Sequence, residues 1–272
     1  MLVHVSSLDD PRLDDYRDVR EKDRVERRGI VLVEGDVVVR VLARRGTLAV
    51  RSLLLAEPRV AALADVVGAL GAAVPIYVAP QALMNDVVGF PIHRGVLAAC
   101  DRGPAIEVAE MLARFPGPSL VIALEGLANH DNVGGIFRNA AAFGADAVLF
   151  DETTCDPLYR KAIRVSVGAA LFVPFARAPS TVELVGALRS AGYAIVALTP
   201  AGDAIDLRSY TPPPRVALLL GAEGSGLSPA ALGAADFRVK IPMASGFDSL
   251  NVATTSGVAL FALRGGTAGA VR

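Results

Sequence analysis

Apolar runs and amphipathic stretches alternate along most of this 272-residue chain. In the first third, the runs Ile30–Val33, Ser52–Leu55, Val74–Val78 and Gly95–Ala99 predict strands. Residues 37–45, 60–70 and 81–88, with apolar positions every three or four residues, predict helices. Together they predict a small α/β sandwich over residues 1–103. Gly103-Pro104 and Phe115-Pro116-Gly117-Pro118 then flank a short helical stretch and break both periodicities, which predicts a linker over 104–118. The alternation resumes in 119–272, with strands at Ser119–Leu124, Ala147–Phe150, Leu171–Phe175, Ala194–Leu198, Val216–Leu220 and Phe237–Ile241, and a closing helix from Ser249 toward Arg264. Such alternation predicts an α/β domain with a mostly parallel, doubly wound sheet.

Composition narrows this picture only a little. Hydrophobic residues make up 53% of the chain, enough for each part to bury its own core, yet no apolar run approaches the ~18 residues of a membrane span. The amino terminus turns charged at Asp9, Asp10 and Arg12, which leaves no signal-peptide core, so a cytoplasmic location without a membrane partner is expected. A formal net charge of -1 neither requires nor excludes RNA; affinity for it would come from local arginine clusters. One run, Arg17, Arg20, Lys22, Arg24, Arg27 and Arg28, is interleaved with nearly as many acids and reads as a solvated helix. Cys100 and Cys155 form no C-x-x-C pair, and His4, His93 and His130 have no ligand spacing, so neither a disulfide framework nor a metal is expected.

Three glycine- and polar-rich loops carry the chemistry, each directly after a predicted strand. The first holds Glu125, Gly126, Asn129, Asn132, Gly134, Gly135 and Arg138; the second runs from Gly221 to Leu227; the third joins Ile241-Pro242-Met243 to Ser249-Leu250-Asn251-Val252. Open α/β sheets bind ligands beyond the carboxyl ends of their strands, which makes these loops a candidate site. Taken alone, Gly221-x-x-Gly224-x-Gly226 suits either a tight turn or a phosphate loop. It departs from the G-x-G-x-x-G order of dinucleotide-binding units, and Lys240-Ile241-Pro242 stands where their acidic residue is wanted, which disfavours a nucleotide-cofactor oxidoreductase.

In order and spacing the three blocks resemble the SpoU/TrmH-like family of the SPOUT superfamily, S-adenosylmethionine-dependent RNA ribose 2′-O-methyltransferases. Asn132 and Arg138 match its first motif, Gly221 to Leu227 its second, and Ile241 to Val252 its third. The resemblance covers about the last 155 residues and is looser before them. It implies S-adenosyl-L-methionine contacts at Leu124, Gly221, Ile241 and Leu250, a structured tRNA or rRNA as substrate, and an RNA-selecting role for residues 1–103. It also implies a homodimer whose subunits share each site, and a trefoil knot late in the chain. General rules of chain threading would predict an open, unknotted sheet.

The residues admit bland readings beside these. Arg138, on a helix after a strand, would ordinarily be an ion-pairing surface residue. Next to a ribose hydroxyl it would stabilise the developing alkoxide. Asn132 and Ser249 are each suited to capping a helix as well as to polar roles around the reacting groups, roles the resemblance also implies for Asn251. Glu223 reads as an exposed loop carboxylate that orients loop or substrate. Arg164 and Ser166, in a basic helix after Asp156-Pro157, resemble a family segment near the RNA and otherwise belong to a solvated face. Intact Asn132, Arg138, Glu223, Ser249 and Asn251 speak against an RNA-binding protein with an inactive methyltransferase-like domain.

Overall fold

The computed structural model describes residues 2–17, 25, 28–89, 91–92, 94–245 and 249–266. Of the basic amino-terminal run, Arg20, Lys22, Arg24 and Arg27 therefore lie outside the described residues, as does His93. The chain forms two compact units: Met1–Pro104 with Leu158–Phe172, and Ala105–Pro157 with Val173–Arg272.

The first unit is built on a five-stranded mixed sheet of β1 (Leu2–His4), β2 (Ile30–Glu34), β3 (Val50–Ala56), β4 (Ile76–Ala79) and β5 (Val96–Asp101), in the order β1-β4-β3-β5-β2. Its helices are α1 (Asp36–Arg45), α2 (Ala64–Leu70) and α3 (Gln81–Val88). The helix expected over 60–70 is tighter at its start, with 3-10 turns at Glu57–Arg59 and Ala61–Leu63. Residues 158–172 add a further helix, Arg160–Val165. Arg160 Nη1 reaches Glu34 Oε2 at 2.6 Å, and Gly168 sits where a Cβ would come within 3.0 Å of Val41. Val167 (φ 54°) and Gly168 (φ 83°) both adopt left-handed backbone after this helix and turn the chain.

The second unit carries the seven-stranded sheet. Its strands are β6 (Ser119–Glu125), β7 (Ala147–Phe150), β8 (Phe175–Arg177), β9 (Ala194–Leu198), β10 (Ile205–Asp206), β11 (Arg215–Gly221) and β12 (Phe237–Lys240), ordered β10-β12-β9-β11-β6-β7-β8 with every pair parallel. The third predicted strand moved. Leu171 ends a 3-10 turn and β8 begins only after Pro174, which has no N–H to give the ladder but whose carbonyl accepts from Val148.

Helices cover both faces of this sheet. Its helices are α4 (Val108–Ala113), α5 (His130–Phe143), α7 (Thr181–Ser190), α8 (Pro229–Gly233) and α9 (Val252–Gly266), with α6 being the first unit's Arg160–Val165. On one face Val108, Met111 and Leu112 of α4 and Leu184, Val185 and Leu188 of α7 pack on Val121, Leu149, Ile195 and Leu219. The helical stretch of the expected linker therefore belongs to a core. On the other face Phe137 of α5 meets Phe175 edge-on, and Phe175 stacks on Phe150.

α5 has local reasons to form where it does. The Asn129 side chain caps it by accepting from the Asp131 N–H, apolar Val133, Ile136, Phe137 and Ala140 repeat on its buried face, and Gly144 (φ 68°) ends it. Asn132, a candidate cap from sequence, is instead inside the first turn. α5 and α9 approach closely: a Cβ on Gly135 would lie 2.7 Å from the Ala253 Cβ. Asn139 Nδ2 ties the seam, donating to Ala253 O at 2.6 Å and Ser256 Oγ at 2.9 Å.

This seam gives a sign test. Alanine ordinarily stabilises a helix interior by about 1 kcal/mol over glycine, whereas overpacking a tight contact costs about 1–3 kcal/mol. Gly135→Ala is expected to be net destabilising and to lower Tm by roughly 2–4 °C in calorimetry. A higher Tm would mean that the two helices have slack between them.

Candidate active site

The carboxyl ends of β9, β11 and β12 and the entry to α9 surround an open cleft of ≈ 200 Å³, lined among the described residues by Leu198, Leu220, Gly221, Leu227, Ile241 and Leu250 and others. Glu223, Ser249 and Thr255 add polar groups to its wall.

Glycine is required at one of these positions by contact. A Cβ on Gly221 would fall 2.4 Å from both Gly226 C and Leu227 N, so the loop can fold back on the end of β11 only over a bare Cα. The return is closed by the Gly226 N–H donating to Ala222 O, with Gly224 (φ 82°) and Gly226 (φ 67°) in left-handed backbone. The loop's exit is held from β6: Glu125 Oε2 accepts from the Ser228 N–H and Oε1 from its hydroxyl, both at 2.8 Å.

Beside the cleft, the three sequence blocks meet at one carboxylate. Asn132 Nδ2 donates to Glu223 Oε1 at 2.5 Å, and Asn251 Nδ2 donates to the same oxygen at 3.1 Å and to Asn132 Oδ1 at 2.8 Å. Asn132 is 4% exposed and gives both ends of its amide to this contact. Asn251 also caps α9, its Oδ1 accepting from the Ala253 and Thr254 N–H groups. Ser249, the cap suggested by sequence, is an exposed residue two positions earlier.

The other sequence candidates separate. Leu124 is fully buried beside its register partner Leu220 and is not among the residues that line the cleft. Arg138 is exposed and stands apart from the amide cluster: six residues along a helix turn a side chain by about 240°. Among the described residues of this unit, every other arginine or lysine is held by a carboxylate or a backbone carbonyl. The pairs include Arg177 with Asp156, Arg215 with Phe115 O and Gly117 O, and Lys240 with Gly202 O. Arg138 alone has no such partner.

In the first unit, Arg164 is exposed, whereas Ser166 is 1% exposed. The Ser166 hydroxyl donates to Ile163 O and accepts from the Ala170 N–H, so it joins the end of α6 to the next turn. It offers no group to an RNA. Burial likewise pushes the Cys100 thiol up to about 12, leaving it inert at neutral pH.

Residues 119–261 match the model of the SpoU rRNA Methylase family, more than half of the chain. The protein belongs to this family. Like other SpoU methylases it is an RNA methyltransferase that uses S-adenosylmethionine, and its fold matches theirs. It is 45% identical over 265 residues to an uncharacterised tRNA/rRNA methyltransferase of Mycobacterium tuberculosis, covering 94% of this chain and 90% of that one. It is 30% identical over 179 residues to a 23S rRNA (guanosine-2′-O-)-methyltransferase of Ralstonia nicotianae, covering 65% and 72%. The crystal structure of an AdoMet-bound rRNA methyltransferase from Sinorhizobium meliloti superposes with a TM-score of 0.82 at 25% identity, covering 98% of this chain and 99% of that one. No helix among the described residues of this SpoU methylase is long and apolar enough to cross a membrane.

The bare Cα at 221 yields a direct measurement. Gly221→Ala forces the 222–227 loop off the end of β11 and is expected to weaken S-adenosylmethionine binding by tenfold or more in calorimetry, on the order of a lost set of close contacts. Unchanged affinity would remove this cleft as the cofactor site.

Proposed function

We propose that the protein transfers a methyl group to a ribose 2′-hydroxyl of structured RNA, tRNA or rRNA, with S-adenosylmethionine in the cleft lined by Gly221, Ile241 and Leu250. The observation that carries this reading is the joining of Asn132, Glu223 and Asn251 beside that cleft, since it brings three distant loops to one point. The 2′-O activity named for the Ralstonia relative supports the ribose as acceptor. The cleft suits the cofactor: aliphatic walls for a flat base, and loop backbone brought close over glycine. The cofactor supplies the activated methyl.

The protein's own groups then have separable tasks. Glu223 Oε1 is occupied by both amides and fixes the loops; the exposed Ser249 hydroxyl on the cleft wall orients a polar part of the substrate. A guanidinium donates hydrogen bonds and accepts none, so the contribution of Arg138 is electrostatic stabilisation of the oxygen as it becomes an alkoxide. Its lack of an internal partner suits a cation reserved for the substrate.

Arg138 points away from its own chain's amide cluster, which supports a homodimer in which each cleft is completed by the other copy. α9 leaves Phe261 69% and Val258 42% exposed, an apolar face that suits burial against a second copy. The knot near the third block, an RNA-selecting role for residues 1–103 with Arg164 as a contact, and a cytoplasmic location belong to the same proposal.

Three experiments test it. Ribose methylation maps of tRNA and rRNA from cells with and without the protein should differ at a discrete nucleotide; identical maps with methylation gained elsewhere on a base would refute the ribose assignment. Arg138→Ala should lower single-turnover rate by roughly a hundredfold, about 3 kcal/mol, with cofactor affinity little changed, and Arg138→Lys should rescue poorly because the planar fork is lost. Mixing Arg138→Ala with Gly221→Ala copies should restore part of the activity. No recovery would show that each chain completes its own site.

A further inference from the structure

We propose that Asp151, at the carboxyl end of β7, is a positioning residue for methyl transfer: it sets where the entry to α5, and with it Asn132, stands relative to the sheet. Asp151 is 4% exposed, and its carboxylate accepts five hydrogen bonds. Oδ1 takes the Gly126 N–H (3.1 Å), the Thr154 N–H (3.0 Å) and the Thr154 hydroxyl (2.7 Å); Oδ2 takes the Thr153 (2.8 Å) and Thr181 (3.1 Å) hydroxyls. An ionised carboxylate only accepts, which matches a shell made entirely of donors. Burial pushes this carboxyl up, but the hydrogen bonds from Thr154, Gly126, Thr153 and Thr181 together outweigh burial and hold its pKa below the usual carboxylate value.

The consequence lies in the segment these bonds capture. The Gly126 N–H goes to Asp151 itself, the Leu127 N–H goes to Thr154 Oγ1 at 3.2 Å, and Leu127 O accepts from the Cys155 N–H at 2.8 Å. Three backbone polar groups of Gly126 and Leu127, in the β6–α5 connection, are thus fixed to the loop after β7, two residues before Asn129 caps α5. Asn132 follows in the first turn and reaches Glu223. None of Gly126, Leu127, Asp151, Thr153 and Thr154 lines the cleft, so these bonds act on the amide cluster without forming part of the cleft wall. A shift of about an ångström at reacting groups costs on the order of a hundredfold in rate.

This inference rests on the chain's RNA methyltransferase activity. It is read as labelled methyl incorporated into bulk tRNA and rRNA from cells lacking the protein, whichever atom accepts it. Asp151→Ala is expected to lower single-turnover incorporation by on the order of tenfold to a hundredfold, with S-adenosylmethionine Kd within about twofold and hydrogen exchange quickened at Gly126, Leu127 and the first turn of α5. Asp151→Asn, whose amide oxygen can still accept from Gly126 and Thr154 while its NH2 faces the Thr153 and Thr181 hydroxyls, should recover most of the rate. A purely structural residue would instead lower Tm and leave the rate per folded molecule untouched, and that result, or unchanged exchange at residues 126–133, overturns the proposal. If Asp151→Ala does not fold, Thr154→Val removes the relay to Leu127 and leaves the carboxylate four donors. It should show the same split of rate from affinity at smaller size, and a wild-type rate there is equally fatal.

Discussion

Helices α5 and α9 come so close that Ala253 occupies the space a side chain at Gly135 would need, and the contact is sealed by Asn139. The candidate site depends on this approach. Asn132 rides on the first turn of α5 and Asn251 is the cap of α9, so their mutual hydrogen bond, and the carboxylate they share, exist only at that interhelical distance. A third loop is drawn to the same point because Gly221 and Glu125 are register partners at the ends of β11 and β6. Glu125 grips the exit of the glycine loop while Glu223, inside it, meets the amides. Packing between apolar helix faces thus sets polar geometry more than 100 residues apart in sequence, consistent with sites being accurate when built on rigid elements.

Much of this was legible in the chain. The strand pattern located every long strand of the second sheet, since apolar runs of that length bounded by glycine and proline have few alternative uses. The three loop blocks were legible as residue types at fixed spacing. Helix caps were not: Asn129 and Asn132 both precede the apolar repeat of α5, and Ser249 and Asn251 both precede that of α9. Only the backbone path decides which side chain faces the free N–H groups. The strand placed at 171–175 failed because left-handed backbone at Val167, a β-branched residue, carries no sequence signature, and it redirects the chain before Pro174.

Side-chain direction was the other limit. An apolar period says that Leu124 is buried but not which layer it faces, and the basic pattern around Ser166 says nothing of a hydroxyl turned inward to Ile163 O. Asp151 went unseen for a related reason: Asp-Glu-Thr-Thr after a strand reads as an ordinary polar turn, and its value depends on donors contributed from residues 126, 153, 154 and 181.

The first unit is discontinuous, since residues 158–172 leave the second unit and return to it. The backbone therefore passes from one unit to the other three times, after Pro104, Pro157 and Phe172. Neither unit is a single uninterrupted stretch of chain: a break at the first crossing would leave the five-stranded sheet without α6, the helix whose Arg160 pairs with Glu34 on β2. A single cut in the chain therefore cannot set either unit free whole.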